Sequence, residues 1–170
     1  DADSPAAGLA RRQGRLIAGV RTLVLGGVSS GKSSWAESAL AGSIGVRYLA
    51  TGPGTDTDPS WSQRLAEHRR RRPPDWTTVE TADVARELRA VTDAPTLVDD
   101  LGGWLTALLD RTGWDSTPVS PAADDLADAV GAFPAPLVLV TPEVGLSVVP
   151  ATAAGRRFAD ELGRVNQRIA

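Results

Sequence analysis

Between Leu23 and Ser33 the chain reads Leu-Val-Leu-Gly-Gly-Val-Ser-Ser-Gly-Lys-Ser, and no other stretch restricts its fold so tightly. Leu23 to Leu25 is a short apolar run of the kind that forms a buried strand. The run breaks at Gly26-Gly27, and a helical pattern begins near Gly31-Lys32-Ser33. The spacing Gly26-x-x-x-x-Gly31-Lys32-Ser33 is that of a phosphate-binding P-loop. Glycines let the backbone curl, so that the N–H groups of Gly26, Gly27, Val28, Ser29, Ser30, Gly31, Lys32 and Ser33 turn toward a phosphate chain. Lys32 adds a point charge near the outer phosphates, and the Ser33 hydroxyl is placed to hold Mg²⁺. Of 18 basic residues Lys32 is the sole lysine, which makes the match unusually clean. The competing interpretation is a glycine-rich strand-to-helix turn that binds nothing.

The rest of the chain alternates short apolar runs with helical patterns. Residues 46–50, 96–98 and 137–140 read as further strands, and Trp76 to Glu80 as a short extended piece. Helical patterns cover 34–41, with Gly42 expected as C-cap, and then 60–72, 83–90, 101–109 and 121–130. The helix over 101–109 is expected despite Gly102-Gly103. The helix over 60–72 places Trp61, Leu65 and His68 on one face and stops at Pro73-Pro74. A last helix carries Phe158, Leu162, Val165 and Ile169 as an apolar stripe. This alternation predicts a single three-layer α/β domain, a mostly parallel sheet with helices on both faces. In such sheets ligands gather beyond the carboxyl ends of the strands. Gly26-Gly27, Thr51, Asp99 and Glu143 all fall at that edge.

Composition removes several alternatives. A length of 170 residues suits one domain, and a net charge of −3 exerts no global pull toward nucleic acid or an anionic membrane. Without cysteine there is no disulfide, thiolate metal site or cysteine nucleophile, and a cytoplasmic setting is expected. No apolar run approaches the ~20 residues that a membrane-spanning helix requires. Residues 1–20 read as a disordered leader and 21–170 as the domain.

Two places beside the P-loop carry candidate chemistry. Asp99 ends an apolar strand, where P-loop proteins keep a carboxylate for Mg²⁺; Asp99 or Asp100 also suits the N-cap of the helix that follows, and the sequence leaves their division of work open. His68 is the only histidine. It is either a packing residue beside Trp61 and Leu65 or a nucleophile. Arg64, Arg69, Arg70, Arg71 and Arg72 crowd it with positive charge, which disfavours imidazolium and leaves a neutral ring able to attack phosphorus. The same arginines suit polyphosphate, or simply a solvated helix end whose cations complement the dipole.

An ordered set of segments resembles the bifunctional adenosylcobinamide kinase/adenosylcobinamide-phosphate guanylyltransferase family of cobalamin assembly and salvage. The set runs Leu25-Gly-Gly-Val-Ser-Ser-Gly-Lys-Ser33, Arg47-Tyr-Leu-Ala-Thr51, Arg64-Leu-Ala-Glu-His-Arg69, Arg72-Pro73 and Trp76-Thr-Thr-Val-Glu80. It continues with Leu97-Val-Asp99 before Trp104-Leu105, Glu143-Val-Gly145 before Val149-Pro150, and Arg157 to Ile169 with its Gly-Arg-Val-Asn-Gln core.

The resemblance implies a RecA-like P-loop domain that performs two reactions. A nucleoside triphosphate, ATP or GTP, phosphorylates the aminopropanol hydroxyl of adenosylcobinamide. GMP then passes from GTP to a histidine and on to adenosylcobinamide phosphate. That histidine falls on His68. Nucleotide contacts carry over to Gly26 through Ser33, Ala50, Thr51, Gly52, Arg69, Arg70, Arg71, Arg72, Glu80 and Asp99, with Lys32 catalytic and Mg²⁺ at Ser33 and Asp99. The implied assembly is a homotrimer; neither a nucleic-acid partner nor a membrane span is expected.

The chain departs from the family pattern at Val28-Ser29 (usually Ala-Arg), at Asp100 (often cysteine), at Gly102-Gly103 (Thr-Leu), at Pro142 (Asn) and at Ser147 (Gly). It also ends before the family's final apolar strand, so an exposed sheet edge is expected. Two further readings stand beside the bifunctional one. One is a guanylyltransferase that has lost the kinase step, and the other a P-loop switch that binds nucleotide without transferring it.

Overall fold

The computed structural model describes residues 19–52, 72–91, 93–146 and 149–170. The runs of Leu and Val form a five-stranded sheet: β1 (Arg21–Gly26), β2 (Arg47–Ala50), β3 (Thr77–Glu80), β4 (Thr96–Asp99) and β5 (Leu137–Pro142). Five helices accompany it among the described residues: α1 (Lys32–Leu40), α2 (Val84–Ala90), α3 (Leu101–Arg111), α4 (Ser120–Ala132) and α5 (Ala153–Ile169). Strand order is β1-β5-β4-β2-β3, and every pairing is parallel. Of the expected helix over 60–72, residues 60–71 lie outside the described residues and Arg72 is in a bend; of the expected leader over 1–20, residues 1–18 lie outside them.

Both faces of the central strands are buried, which is why they read as continuous apolar runs rather than alternating ones. Leu49, Val98, Leu137 and Leu139 face one way, into a core shared with Leu88 of α2, Leu105 of α3, Leu126 of α4 and Leu162 of α5. Tyr48, Leu97, Val138 and Val140 face the other way, against Ala36 and Leu40 of α1 and against Trp76. The α5 stripe behaves as its spacing predicts: Leu162 and Val165 are buried, with Phe158 and Ile169 packed at the margin. Each fully buried leucine contributes roughly 1.5–3 kcal/mol relative to exposure.

Several element boundaries move for identifiable reasons. The extended piece over 76–80 is an edge strand from Thr77, paired to β2 through Arg47↔Thr77 and Ala50↔Glu80. Gly42 is not the C-cap of α1. Ala41 takes that place in right-handed conformation, its N–H donating to Ser38 O at 3.3 Å, and the left-handed turn falls on Gly45 (φ 68°). Helix α3 forms despite its two glycines and runs on to Arg111, while β5 extends to Pro142.

The register decides where function gathers. Gly26 stands opposite Pro142, Asp99 opposite Val140, and Ala50 opposite both Asp99 and Glu80. The ends of all five strands therefore share one carboxyl edge. Helix α1 leaves that edge and packs across β1, β4 and β5.

Candidate active site

The strand-to-helix turn after β1 closes as the P-loop pattern requires. Gly31, at the N-cap of α1, has φ 86°, a left-handed conformation that a side chain would strain. Ser29 is also left-handed at φ 57°. Ser30 N–H donates to Gly27 O at 3.3 Å, Glu143 N–H donates to Gly26 O at 3.0 Å, and the Lys32 ammonium lies 3.3 Å from Gly27 O. The curl leaves Lys32 and Ser33 in the first turn of α1, where N–H groups and the helix dipole favour an anion. Val28, at the outside of the curl, is 87% exposed.

The two aspartates left open by the sequence have separate work. Asp100 is the N-cap of α3: its Oδ1 accepts from Gly103 N–H at 2.8 Å, a cap worth about 1 kcal/mol. Burial, with Asp99 adding to it, holds its carboxyl above the usual carboxylate range, against the pull of the Gly103 amide and Lys32. Asp99 faces the P-loop instead. Its Oδ1 accepts from Ser33 Oγ at 3.3 Å and its Oδ2 from the Tyr48 hydroxyl at 2.6 Å. The peptide bond between the two aspartates is cis.

Thr51 sits on this junction, its backbone N–H donating to Asp99 O at 3.2 Å and its hydroxyl to Asp100 O. Ala50 and Thr51 thus lie directly beside Asp99, and Gly52 against Gly103 of α3. Glu80 closes the neighbouring strand at the same edge. Glu143 accepts from Gly145 N–H, holding its own loop in shape.

Arg72 is engaged within the fold. Its side chain is 6% exposed, with Nε 3.5 Å from Glu37 Oε1 and Nη1 donating to Thr78 Oγ1 at 3.1 Å. Its guanidinium carbon lies 3.3 Å from the centroid of the Tyr48 ring. The remaining expected residues of that segment, His68, Arg69, Arg70 and Arg71, lie outside the described residues.

Tyr48 is the residue that sequence reasoning missed. A tyrosine inside Arg47-Tyr-Leu-Ala reads as a core ring, and only the register reveals more. With Ala50 opposite Asp99, Tyr48 and Asp99 are diagonal neighbours on one sheet face. Burial first, and the Asp99 carboxylate second, push the Tyr48 phenol far above its ordinary range against an opposing pull from Arg72. Its hydroxyl therefore remains a proton donor.

A divalent cation fits this donor set. Mg²⁺ takes hard oxygen ligands, and in nucleotide sites it uses one or two from the protein while phosphates and water complete the shell. Ser33 Oγ and Asp99 Oδ1 are two such oxygens, adjacent to one another at the mouth of the phosphate loop. Among the described residues no group of three or more His, Cys, Asp or Glu is placed to hold a metal ion.

Comparison with known proteins agrees with this geometry. The family model for cobinamide kinase / cobinamide phosphate guanyltransferase, CobU, matches residues 22–170. The chain belongs to the CobU family. The bifunctional adenosylcobalamin biosynthesis protein CobP of Pseudomonas aeruginosa is 40% identical over 155 residues, which cover 89% of this chain and 87% of the relative. The CobU proteins of Salmonella typhimurium and Escherichia coli are 37% and 35% identical, each over 87% of this chain and 88% of their own length. The CobU match covers the five strands and five helices described above apart from Arg21, the first residue of β1, so family and fold refer to the same unit. Among the described residues no helix is long and apolar enough to cross a membrane.

Proposed function

We propose that this chain is a bifunctional enzyme of the CobU type, acting in the cytoplasm as a homotrimer. It phosphorylates adenosylcobinamide and then transfers GMP from GTP to the product. The observation that carries the reading is the Ser33–Asp99 pair at the end of a loop bearing Lys32, set within a chain that matches the family from residue 22 to 170.

In the first reaction the aminopropanol hydroxyl oxygen attacks the γ-phosphorus of a nucleoside triphosphate. The bond to the β–γ bridging oxygen breaks, and the nucleoside diphosphate leaves. Gly26 through Ser33 hold the phosphates by backbone N–H groups, and Lys32 offsets charge on the outer oxygens. Ser33 and Asp99 would hold Mg²⁺, which would supply charge neutralisation at the phosphates when bound. In the second reaction an unprotonated His68 nitrogen attacks the α-phosphorus of GTP and pyrophosphate departs. A phosphate oxygen of adenosylcobinamide phosphate then attacks the same phosphorus, breaking the P–N bond and freeing His68. Arg69, Arg70 and Arg71 keep the imidazole neutral and offset the α-phosphate charge. Ala50, Thr51, Gly52 and Glu80 bind the nucleoside end.

The test is product analysis with adenosylcobinamide, ATP, GTP and Mg²⁺. Wild type is expected to yield adenosyl-GDP-cobinamide, and His68→Ala to stop at adenosylcobinamide phosphate. Formation of the GDP product by His68→Ala would remove the histidine route. Conversion by wild type of supplied adenosylcobinamide phosphate only would show the kinase half to be lost.

A further inference from the structure

Tyr48 does more than fill the core beneath α1. It is 4% exposed, and its hydroxyl makes one short hydrogen bond, to the Asp99 oxygen turned away from Ser33. The two carboxylate oxygens are therefore held from opposite sides: Oδ2 by Tyr48 at 2.6 Å and Oδ1 beside Ser33 Oγ at 3.3 Å. A carboxylate held at one oxygen only is free to turn about its terminal bond, a broad torsion with little intrinsic preference.

The tyrosine is itself braced. Arg72 stacks on the ring at 3.3 Å and is fixed by Glu37 of α1 and Thr78 of β3, so the ring is confined between the sheet and a guanidinium plane. A chain of contacts runs from Glu37 through Arg72 and Tyr48 to Asp99 and Ser33. It begins and ends on α1, the helix that carries the P-loop lysine.

We propose that Tyr48 is a positioning residue that fixes the Asp99 carboxylate with Oδ1 toward Ser33, and that Arg72 is its brace rather than a ligand of phosphate. The inference rests on reading Ser33 and Asp99 as the pair that holds the nucleotide's divalent cation. It goes beyond that reading by placing the control of the pair in two residues that never reach the nucleotide. Preorganisation of a ligand by such outer partners commonly sets metal affinity by one to two orders of magnitude.

The experiment is calorimetric titration of the full chain with GTP in its α,β-methylene form, once with EDTA and once with Mg²⁺, so that the metal-dependent gain in affinity is read without transfer of GMP to His68. Tyr48→Phe keeps the ring and the stacking and removes one oxygen. It is expected to lower the metal-dependent gain about ten-fold while leaving metal-free GTP affinity within about two-fold. Arg72→Gln is expected to lower the same gain and to spare metal-free affinity.

The double variant Tyr48→Phe/Asp99→Asn is expected to lose no more of the gain than Asp99→Asn alone, because Tyr48 acts through Asp99. An unchanged gain in Tyr48→Phe, or additive losses in the double variant, would overturn the role of Tyr48. A ten-fold loss of metal-free affinity in Arg72→Gln would make Arg72 a phosphate ligand and overturn its role as brace. A wild type that shows no metal-dependent gain would overturn the Ser33–Asp99 reading itself, and is distinguishable from both.

Discussion

Gly102 and Pro142 meet at the carboxyl edge of the sheet: a Cβ on Gly102 would come within 2.8 Å of Pro142 Cγ. The structure puts the two positions in contact, so a side chain absent from one makes room for the ring at the other. Gly103 is similarly confined, its would-be Cβ 2.8 Å from Thr51 Oγ1 and 3.0 Å from Gly52 N. The start of α3 is thereby pressed against both the β2 loop and the end of β5, which brings the Asp100 cap and the Asp99 carboxylate close to the P-loop.

Gly102→Ala is expected to destabilise the protein by about 1–2 kcal/mol, because an overpacked ring contact outweighs the alanine's gain in helix propensity. Pro142→Ala/Gly102→Ala should recover most of that loss. Denaturant unfolding of the two single variants and the double variant gives the coupling directly; strict additivity would mean that the two positions are independent.

Much of this arrangement was legible in the sequence. The apolar runs of β2, β4 and β5 predict strands because burial on both faces leaves no polar alternation to confuse the pattern, and the edge strand β1 is apolar over Leu23 to Leu25 although Leu25 is exposed. Thr77–Glu80 showed only as an extended piece, since one flank of an edge strand is open and its residues are correspondingly polar. Its pairing with β2 is a long-range event that no local signal records. The division between Asp99 and Asp100 was hidden for a related reason. Both are carboxylates at a strand-to-helix junction, and backbone geometry alone decides which one turns to Gly103 N–H and which to Ser33. Arg72 closes a run of four arginines that composition treats alike; the aromatic ring that takes its guanidinium lies 24 positions earlier in the chain, on β2.

The separation of the two aspartates makes a paired prediction. Asp99→Asn should fold with near wild-type stability and lose roughly ten- to hundred-fold in Mg²⁺-dependent nucleotide affinity, since it removes a charged oxygen from the candidate metal pair. Asp100→Ala should instead cost about 1 kcal/mol or more of stability through loss of the α3 cap. Thermal unfolding read beside metal-dependent binding tests this; equal effects of both variants on both readouts would contradict it.

Within the Gly-Arg-Val-Asn-Gln segment, Asn166 has a structural partner. Its Oδ1 accepts from the Thr141 hydroxyl at 2.7 Å in the buried seam between α5 and the end of β5. Thr141→Val keeps the shape and strands a buried amide oxygen, so a loss of about 1–3 kcal/mol is expected in denaturant unfolding. A loss below a few tenths of a kcal/mol would show that the amide finds another donor.

The central claim is that GMP travels through this chain on His68, and the most direct measurement is the intact mass of the protein after incubation with GTP and Mg²⁺. The account predicts a gain equal to one guanylyl group in wild type and none in His68→Ala. A wild type that binds GTP without any gain in mass, or a His68→Ala variant that gains the same mass, would contradict it.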